Sequence, residues 1–159
     1  MEHIKDCIAA LREAAPEIDI AENELMRRHT TFAIGGPADL FVQPKTRREL
    51  TAALAVLRER NIPFLLGNGS NMLVADAGIR GAVVCTSELD EVRVNEDNTV
   101  SAEAGALLSR IARRAQRSGL TGAEFAGGIP GSLGGAVYMN AGAYDGTMAG
   151  IVQETEFVD

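Results

Sequence analysis

The sequence predicts an α+β fold rather than a doubly wound parallel sheet, and three observations carry that expectation. Helical and strand-like patterns alternate along the 159 residues without a regular β-α-β rhythm. Several short strand-like runs follow one another between residues 72 and 104 with only turns to separate them. Seven of the 17 glycines fall within residues 127–146, among apolar residues and one amide, Asn140. Glycine loses the most conformational freedom on ordering, so a folded chain gathers it where backbone must lie close to something else. A flexible linker would be rich in serine and poor in Ile, Val and Met.

Ile4, Cys7, Ile8 and Leu11 recur at helical spacing and predict a helix over residues 3–14, ended by Pro16. An extended stretch is expected through Leu25 to Thr30-Thr31-Phe32, then a turn at Gly35-Gly36-Pro37 and a strand over residues 38–43. Thr46 and Glu49 form a capping-box pattern ahead of a helix carrying Leu50, Ala53, Leu54 and Leu57 to about Arg60, closed by Asn61 and Pro63. Phe64-Leu65-Leu66 reads as a short buried strand. Further strands are expected over residues 72–75, 82–85, 91–94 and 100–104, with turns at Gly78, Gly81 and Asp97-Asn98. Leu107, Leu108, Ile111, Ala112 and Ala115 mark one more helix, ended by Ser118-Gly119. Arg110, Arg113, Arg114 and Arg117 line its other side, either as an anion site or as a solvated face with cations near the helix C-terminus. A short helix near residues 133–139 and a strand beginning at residues 154–158 complete the pattern.

Hydrophobic content of 46% and charged content of 23% suit a soluble globular chain long enough for a substantial core. The net charge of −7 argues against nucleic acid or an anionic membrane as the main partner. Cys7 and Cys85 lack metal-ligand spacing and read as buried reduced thiols; no metal site is expected. The N-terminus has no signal-peptide pattern and no apolar run suffices for a membrane span, so a cytoplasmic location is expected.

Two glycine loops carry chemistry. Gly67-Asn68-Gly69-Ser70-Asn71 follows a strand, and its glycines let successive N–H groups turn toward an anion. It has no Gly-Lys-Ser/Thr, and Met72 opens a strand where the dinucleotide fingerprint needs a helix. On its own it reads as a phosphate loop or as a tight turn. In the second loop Pro130 stiffens the chain, Gly131, Gly134 and Gly135 allow backbone contact, and Asn140 offers donor and acceptor to a ring edge. The alternative for this segment is close helix packing through small residues. Together the loops suggest a ligand with a charged linker and a planar group.

His29-Thr30-Thr31-Phe32-Ala33-Ile34-Gly35-Gly36-Pro37-Ala38, Gly67-Asn68-Gly69-Ser70-Asn71-Met72-Leu73-Val74 and the segment from Gly128-Ile129-Pro130-Gly131-Ser132 to Ala143-Tyr144 resemble, in this order along the chain, the UDP-N-acetylenolpyruvoylglucosamine reductase family of peptidoglycan synthesis. The resemblance implies a two-lobed FAD-binding domain of the vanillyl-alcohol-oxidase (PCMH) type over residues 25–159, after a helical lead-in over residues 1–24. It implies non-covalent FAD held by Thr30, Thr31, Gly67, Asn68, Gly69, Ser70, Asn71, Gly128, Ile129, Pro130, Gly131, Ser132, Gly134, Gly135, Asn140, Ala141, Gly142 and Ala143. The pyrophosphate falls to the first loop and the isoalloxazine to the second.

The family passes electrons from NADPH through FAD to the enolpyruvyl ether of UDP-N-acetylglucosamine, giving UDP-N-acetylmuramate. Its arginine, in a Tyr-Arg-x-Ser motif, and its proton-donor serine and glutamate have no counterpart here. The chain is therefore expected to be the flavin domain of such an enzyme, continuing beyond Asp159 in the full protein and inactive alone. The alternative is a non-catalytic flavin- or nucleotide-binding module acting through partners. His29 is expected to be structural.

Overall fold

The computed structural model describes residues 2–59 and 63–158, and the chain divides into two compact units, Met1–Leu89 and Asp90–Asp159. The first is built on a four-stranded sheet. Its elements are α1 (Glu2–Ala14), β1 (Asp19–Leu25), β2 (Pro37–Gln43), α2 (Arg47–Arg58), β3 (Phe64–Leu66) and β4 (Ile79–Cys85). The strand order is β1-β2-β4-β3, with β1 antiparallel to β2 and the β2, β4 and β3 neighbours parallel. The central strands β2 and β4 are apolar because helices cover one face and loop residues the other. Cys7, Leu11, Ala15 and Ile18 meet Ala53, Leu54 and Leu57 of α2 over Leu40, Val42 and Val84. On the opposite face Met26, Phe41, Leu66, Val74, Val83 and Cys85 form a second cluster. Leu11 and Ile18 are fully buried, each stabilising by about 1.5–3 kcal/mol. The residues expected as a lead-in thus belong to this core, and β1 is one of the sheet's strands.

The capping expectation at α2 holds with a variation. Thr46 Oγ1 accepts from Glu49 N–H at 3.2 Å, while Glu49 reaches one residue further back, to Lys45 N–H at 2.6 Å. Arg60 and Asn61, expected at the end of this helix, lie outside the described residues.

Several local expectations are corrected. Met26–Arg28 is a 3-10 turn rather than extended chain. The turn expected at Gly35-Gly36-Pro37 lies earlier, where Ala33 N–H bonds to Thr30 C=O at 3.1 Å, and Pro37 already opens β2. Phe64 and Leu65 are 42% and 57% exposed because β3 is an edge strand; only Leu66 is buried. Residues 72–75 form no strand, although Ala75 C=O accepts from Gly36 N–H at 2.9 Å. Gly81 lies inside β4 at a register shift rather than in a turn, its N–H bonded to Asp39 Oδ2 at 2.9 Å.

The second unit begins with the antiparallel hairpin β5 (Val92–Val94) and β6 (Val100–Ala102). Asp97 accepts from Thr99 at its turn. It continues through α3 (Leu108–Arg117), a 3-10 segment (Glu124–Gly128), α4 (Leu133–Tyr138), and a two-residue hairpin of β7 (Gly142–Ala143) and β8 (Gly146–Thr147). Leu108, Phe125, Ala126, Ala136 and Met148 form its core. The strand expected at residues 154–158 is absent: these residues are exposed and have no ladder partner among the described residues. Cys7 and Cys85 are buried, and neither is in a disulfide among the described residues. No helix among the described residues is long and apolar enough to cross a membrane.

Candidate cofactor site

In the first unit the loop after β3 is fastened to the Thr30-Thr31 segment. Gly69 has φ +62°, and a Cβ there would overlap the His29 carbonyl oxygen. Only glycine fits this close approach. Gly69 C=O in turn accepts from Thr31 N–H at 3.2 Å. The two motifs, far apart in sequence, therefore meet through main chain. Arg28, Thr30, Thr31, Gly67, Asn68 and Ser87 line a groove of about 300 Å³, with His29 and Cys85 also on its wall. The main-chain N–H groups of Gly69, Ser70 and Asn71 have no acceptor among the described residues. Successive unpaired N–H donors at a glycine turn are the elements of an anion-binding nest.

The two threonines differ. Thr30 is buried and its Oγ1 donates to Ile34 C=O at 2.9 Å, holding the turn. Thr31 is exposed at the groove. His29 is held on two sides, with Nε2 at 2.9 Å from Glu24 Oε1 and its ring stacked on Phe41 at a centroid distance of 4.2 Å. The hydrogen bond from His29, helped by the Arg28 charge, holds the Glu24 carboxyl below its ordinary value. Sequence reasoning missed this anchor and missed Arg28 as the cation of the groove. Nothing local in the sequence marks either, since both depend on which residues β1 and β2 bring together.

In the second unit the glycine-rich segment divides by physical role. Gly134 N–H donates to Ala104 C=O at 2.8 Å, and a Cβ on Gly134 would stand 2.9 Å from Ala104 Cβ. Gly146 faces the Phe125 ring, and Gly142 faces Gly146 and Thr147. These positions serve packing within the unit, which was the alternative reading of the segment. Gly128 has nothing within 4 Å of its Cβ direction, and Gly135 meets only Ser132 Oγ at 3.6 Å. Ile129 N–H bonds to Ala126 C=O and Gly131 N–H to Ile129 C=O, a tight bend that carries Pro130 outward. Ala141 joins both α4 and Met148 by main-chain bonds, and Ala143 pairs with Gly146. Asn140 adopts φ +46°, and its Oδ1 accepts from Ala149 N–H at 2.9 Å, so the side-chain NH2 is what it presents elsewhere.

Ser132 stands out. It is 2% exposed and precedes α4 without a side-chain capping bond. Its Oγ is the buried side-chain polar atom with no partner among the described residues. A buried hydroxyl left unpaired costs about 1–3 kcal/mol, so a native structure that keeps one needs a reason.

The UDP-N-acetylenolpyruvoylglucosamine reductase of Caldanaerobacter subterraneus is 52% identical over 150 residues, 94% of this chain and 49% of that protein. That of Clostridium tetani is 42% identical over 160 residues, 100% of this chain and 52% of that protein. The chain thus spans about half the length of the curated relatives it matches. Among solved structures, UDP-N-acetylenolpyruvylglucosamine reductase (MurB) from Thermus caldophilus matches 84% of this chain with a TM-score of 0.66 and 35% identity, covering 46% of its own length. Berberine bridge enzyme, at 13% identity and a TM-score of 0.60, shares the fold. These likenesses establish the expected α+β FAD-binding fold. With the model described as "FAD binding domain" matching residues 38–159, the chain belongs to that family and is homologous to the FAD-binding part of UDP-N-acetylenolpyruvoylglucosamine reductases.

Proposed function

We propose that this chain serves as the FAD-binding portion of a UDP-N-acetylenolpyruvoylglucosamine reductase, and that the residues expected from sequence hold the cofactor. The observation that carries this reading is Ser132 Oγ, buried and unpartnered beside Gly135. A flavin heteroatom would satisfy it. The unpaired N–H groups of Gly69, Ser70 and Asn71, and Arg28 on the groove that Gly67 and Asn68 line, suit a pyrophosphate. Gly128 and Gly135 leave room for a ring to lie against backbone. When bound, FAD would supply hydride transfer between NADPH and an enolpyruvyl double bond. The chain's own contribution is to bind and orient: Thr31, Gly67 and Asn68 on the groove, Ile129, Pro130, Gly131 and Ser132 on the bend, and Asn140 through its NH2 group. Thr30, Gly134, Ala141, Gly142 and Ala143 act as supports that fix those surfaces.

The activity, the substrates NADPH and UDP-N-acetylglucosamine enolpyruvate, and a role in peptidoglycan synthesis belong to this proposal. Within it, the chain alone does not complete the reaction, because the arginine, serine and glutamate implied by the family resemblance have no counterpart in it. The test is to reconstitute the purified chain with FAD, remove excess flavin, and record the absorbance of bound flavin. NADPH consumption with the enolpyruvyl substrate is then followed. Retained flavin without turnover is the expected result. Failure to retain flavin overturns the binding reading, and turnover by the chain alone overturns the assignment of roles.

A further inference from the structure

We propose that the arginine face of α3 binds a compact, multiply charged phosphate anion. Arg110, Arg113, Arg114 and Arg117 recur at the spacing that places side chains on one helix face. All four are exposed, and α3 contains no acidic residue, in a chain whose net charge is −7. With Glu91 and Val92 they line a groove of about 430 Å³, within the usual range of small-ligand sites. None of residues 127–144, the segment assigned to flavin, is among those lining residues.

The solvated-face reading leaves part of this unexplained. The helix dipole favours cations in the last turn, which accounts for Arg114 and Arg117 but not for Arg110 and Arg113. Neighbouring like charges three and four residues apart repel, so the face is strained electrostatically until an anion joins it. Arg110 is paired with Asp90. The acid within the groove, Glu91, is already held by the Arg93 fork at 2.8 and 2.9 Å, which lowers its repulsion toward an incoming anion. Arg113, Arg114 and Arg117 have no carboxylate partner among the described residues.

Guanidinium groups bind phosphate oxygens in pairs, a geometry lysine lacks, and the face holds arginines alone. Its extent limits the ligand. A ten-residue helix is about 15 Å long, and the acidic remainder of the chain repels an extended polyanion or an anionic membrane more than a compact one. The chemistry selected is therefore a free oligophosphate, inorganic or the phosphate end of a small metabolite.

The test titrates the 159-residue chain with sodium tripolyphosphate by calorimetry at low ionic strength, with and without saturating FAD. Binding should survive FAD, weaken at least about tenfold in the double variant R113Q/R117Q, and be unchanged in R48Q, an exposed charge on α2. Glutamine keeps helix propensity, and thermal melts of the free variants should show no loss of stability. The proposal is overturned by absence of binding at millimolar tripolyphosphate, by competition from FAD, or by equal weakening in R48Q. Tighter binding to phosphatidylglycerol vesicles or to a single-stranded RNA oligomer would also overturn it, by marking the face as a macromolecular surface. Because the variant comparison runs without FAD as well, it stands whether or not the flavin assignment does.

Discussion

Replacing Ser132 by alanine should change stability and cofactor affinity in opposite directions. In the flavin-free chain Ser132 Oγ is buried without a partner, so its removal relieves about 1–2 kcal/mol of desolvation cost. No capping bond is lost, because the hydroxyl makes none at the start of α4. Flavin-free S132A should therefore melt about 2–8 °C above the wild type, at the 2–4 °C per kcal/mol usual for a chain of this size. In the flavin-bound state the wild type gains a hydrogen bond of about 1 kcal/mol that the variant lacks. The two terms add in the binding cycle, giving about 2–3 kcal/mol, or roughly 30- to 150-fold weaker FAD binding. Thermal melts followed by circular dichroism and titrations followed by flavin fluorescence measure both quantities. A variant with a lower melting point and an FAD dissociation constant within about twofold of wild type would refute the assignment.

Three further outcomes are expected. Gly69→Ala forces a Cβ toward the His29 carbonyl at a positive φ, and should destabilise the first unit by more than about 2 kcal/mol in a urea melt; a neutral result would mean the Thr31–Gly69 junction is not rigid. Glu24 titrates below 4.5 in the folded chain, so its stabilisation is present above that pH and is lost as pH falls through the lower folded value. Melts of wild type and E24Q should differ at pH 7 and 5, and the gap should narrow as pH falls below 4.5 through the lowered folded value; a gap that widens on acidification contradicts the sign. Gly134→Ala and Gly135→Ala should separate packing from binding. The first drives a methyl toward Ala104 and destabilises, whereas the second raises flavin-free stability by up to about 1 kcal/mol and weakens FAD binding; identical behaviour of the pair in melts and titrations would end the distinction.

Much of the architecture was legible because it is encoded locally. Helical spacing marks α1, α2 and α3, and Thr46 with Glu49 marks the start of α2, since each signal lies within a few residues of its effect. Exposure of β3 was not legible, because an edge position depends on the order in which distant strands assemble; Phe64-Leu65-Leu66 reads the same at an edge as at a centre. Residues 72–75 and 154–158 carry strand-like composition, yet propensity is overridden where no partner strand is at hand.

The site follows the same division. Motif order pointed to the Thr30-Thr31 segment and both glycine loops, but within them the sequence offers one kind of signal for two physical causes. Gly134 and Gly135 are adjacent and identical in type, yet one Cβ direction runs into Ala104 and the other opens beside an unpaired serine. Thr30 and Thr31 are likewise adjacent, with one hydroxyl engaged by Ile34 and the other residue on the groove. A glycine or a threonine in a motif thus states that the backbone is constrained there, and only the direction in which each residue faces decides whether the constraint serves the fold or a ligand. Within the proposed function, the cofactor reading of the segment consequently rests on the unpaired Ser132 hydroxyl and on the open Cβ directions of Gly128 and Gly135, more than on the glycine count that first draws attention to it.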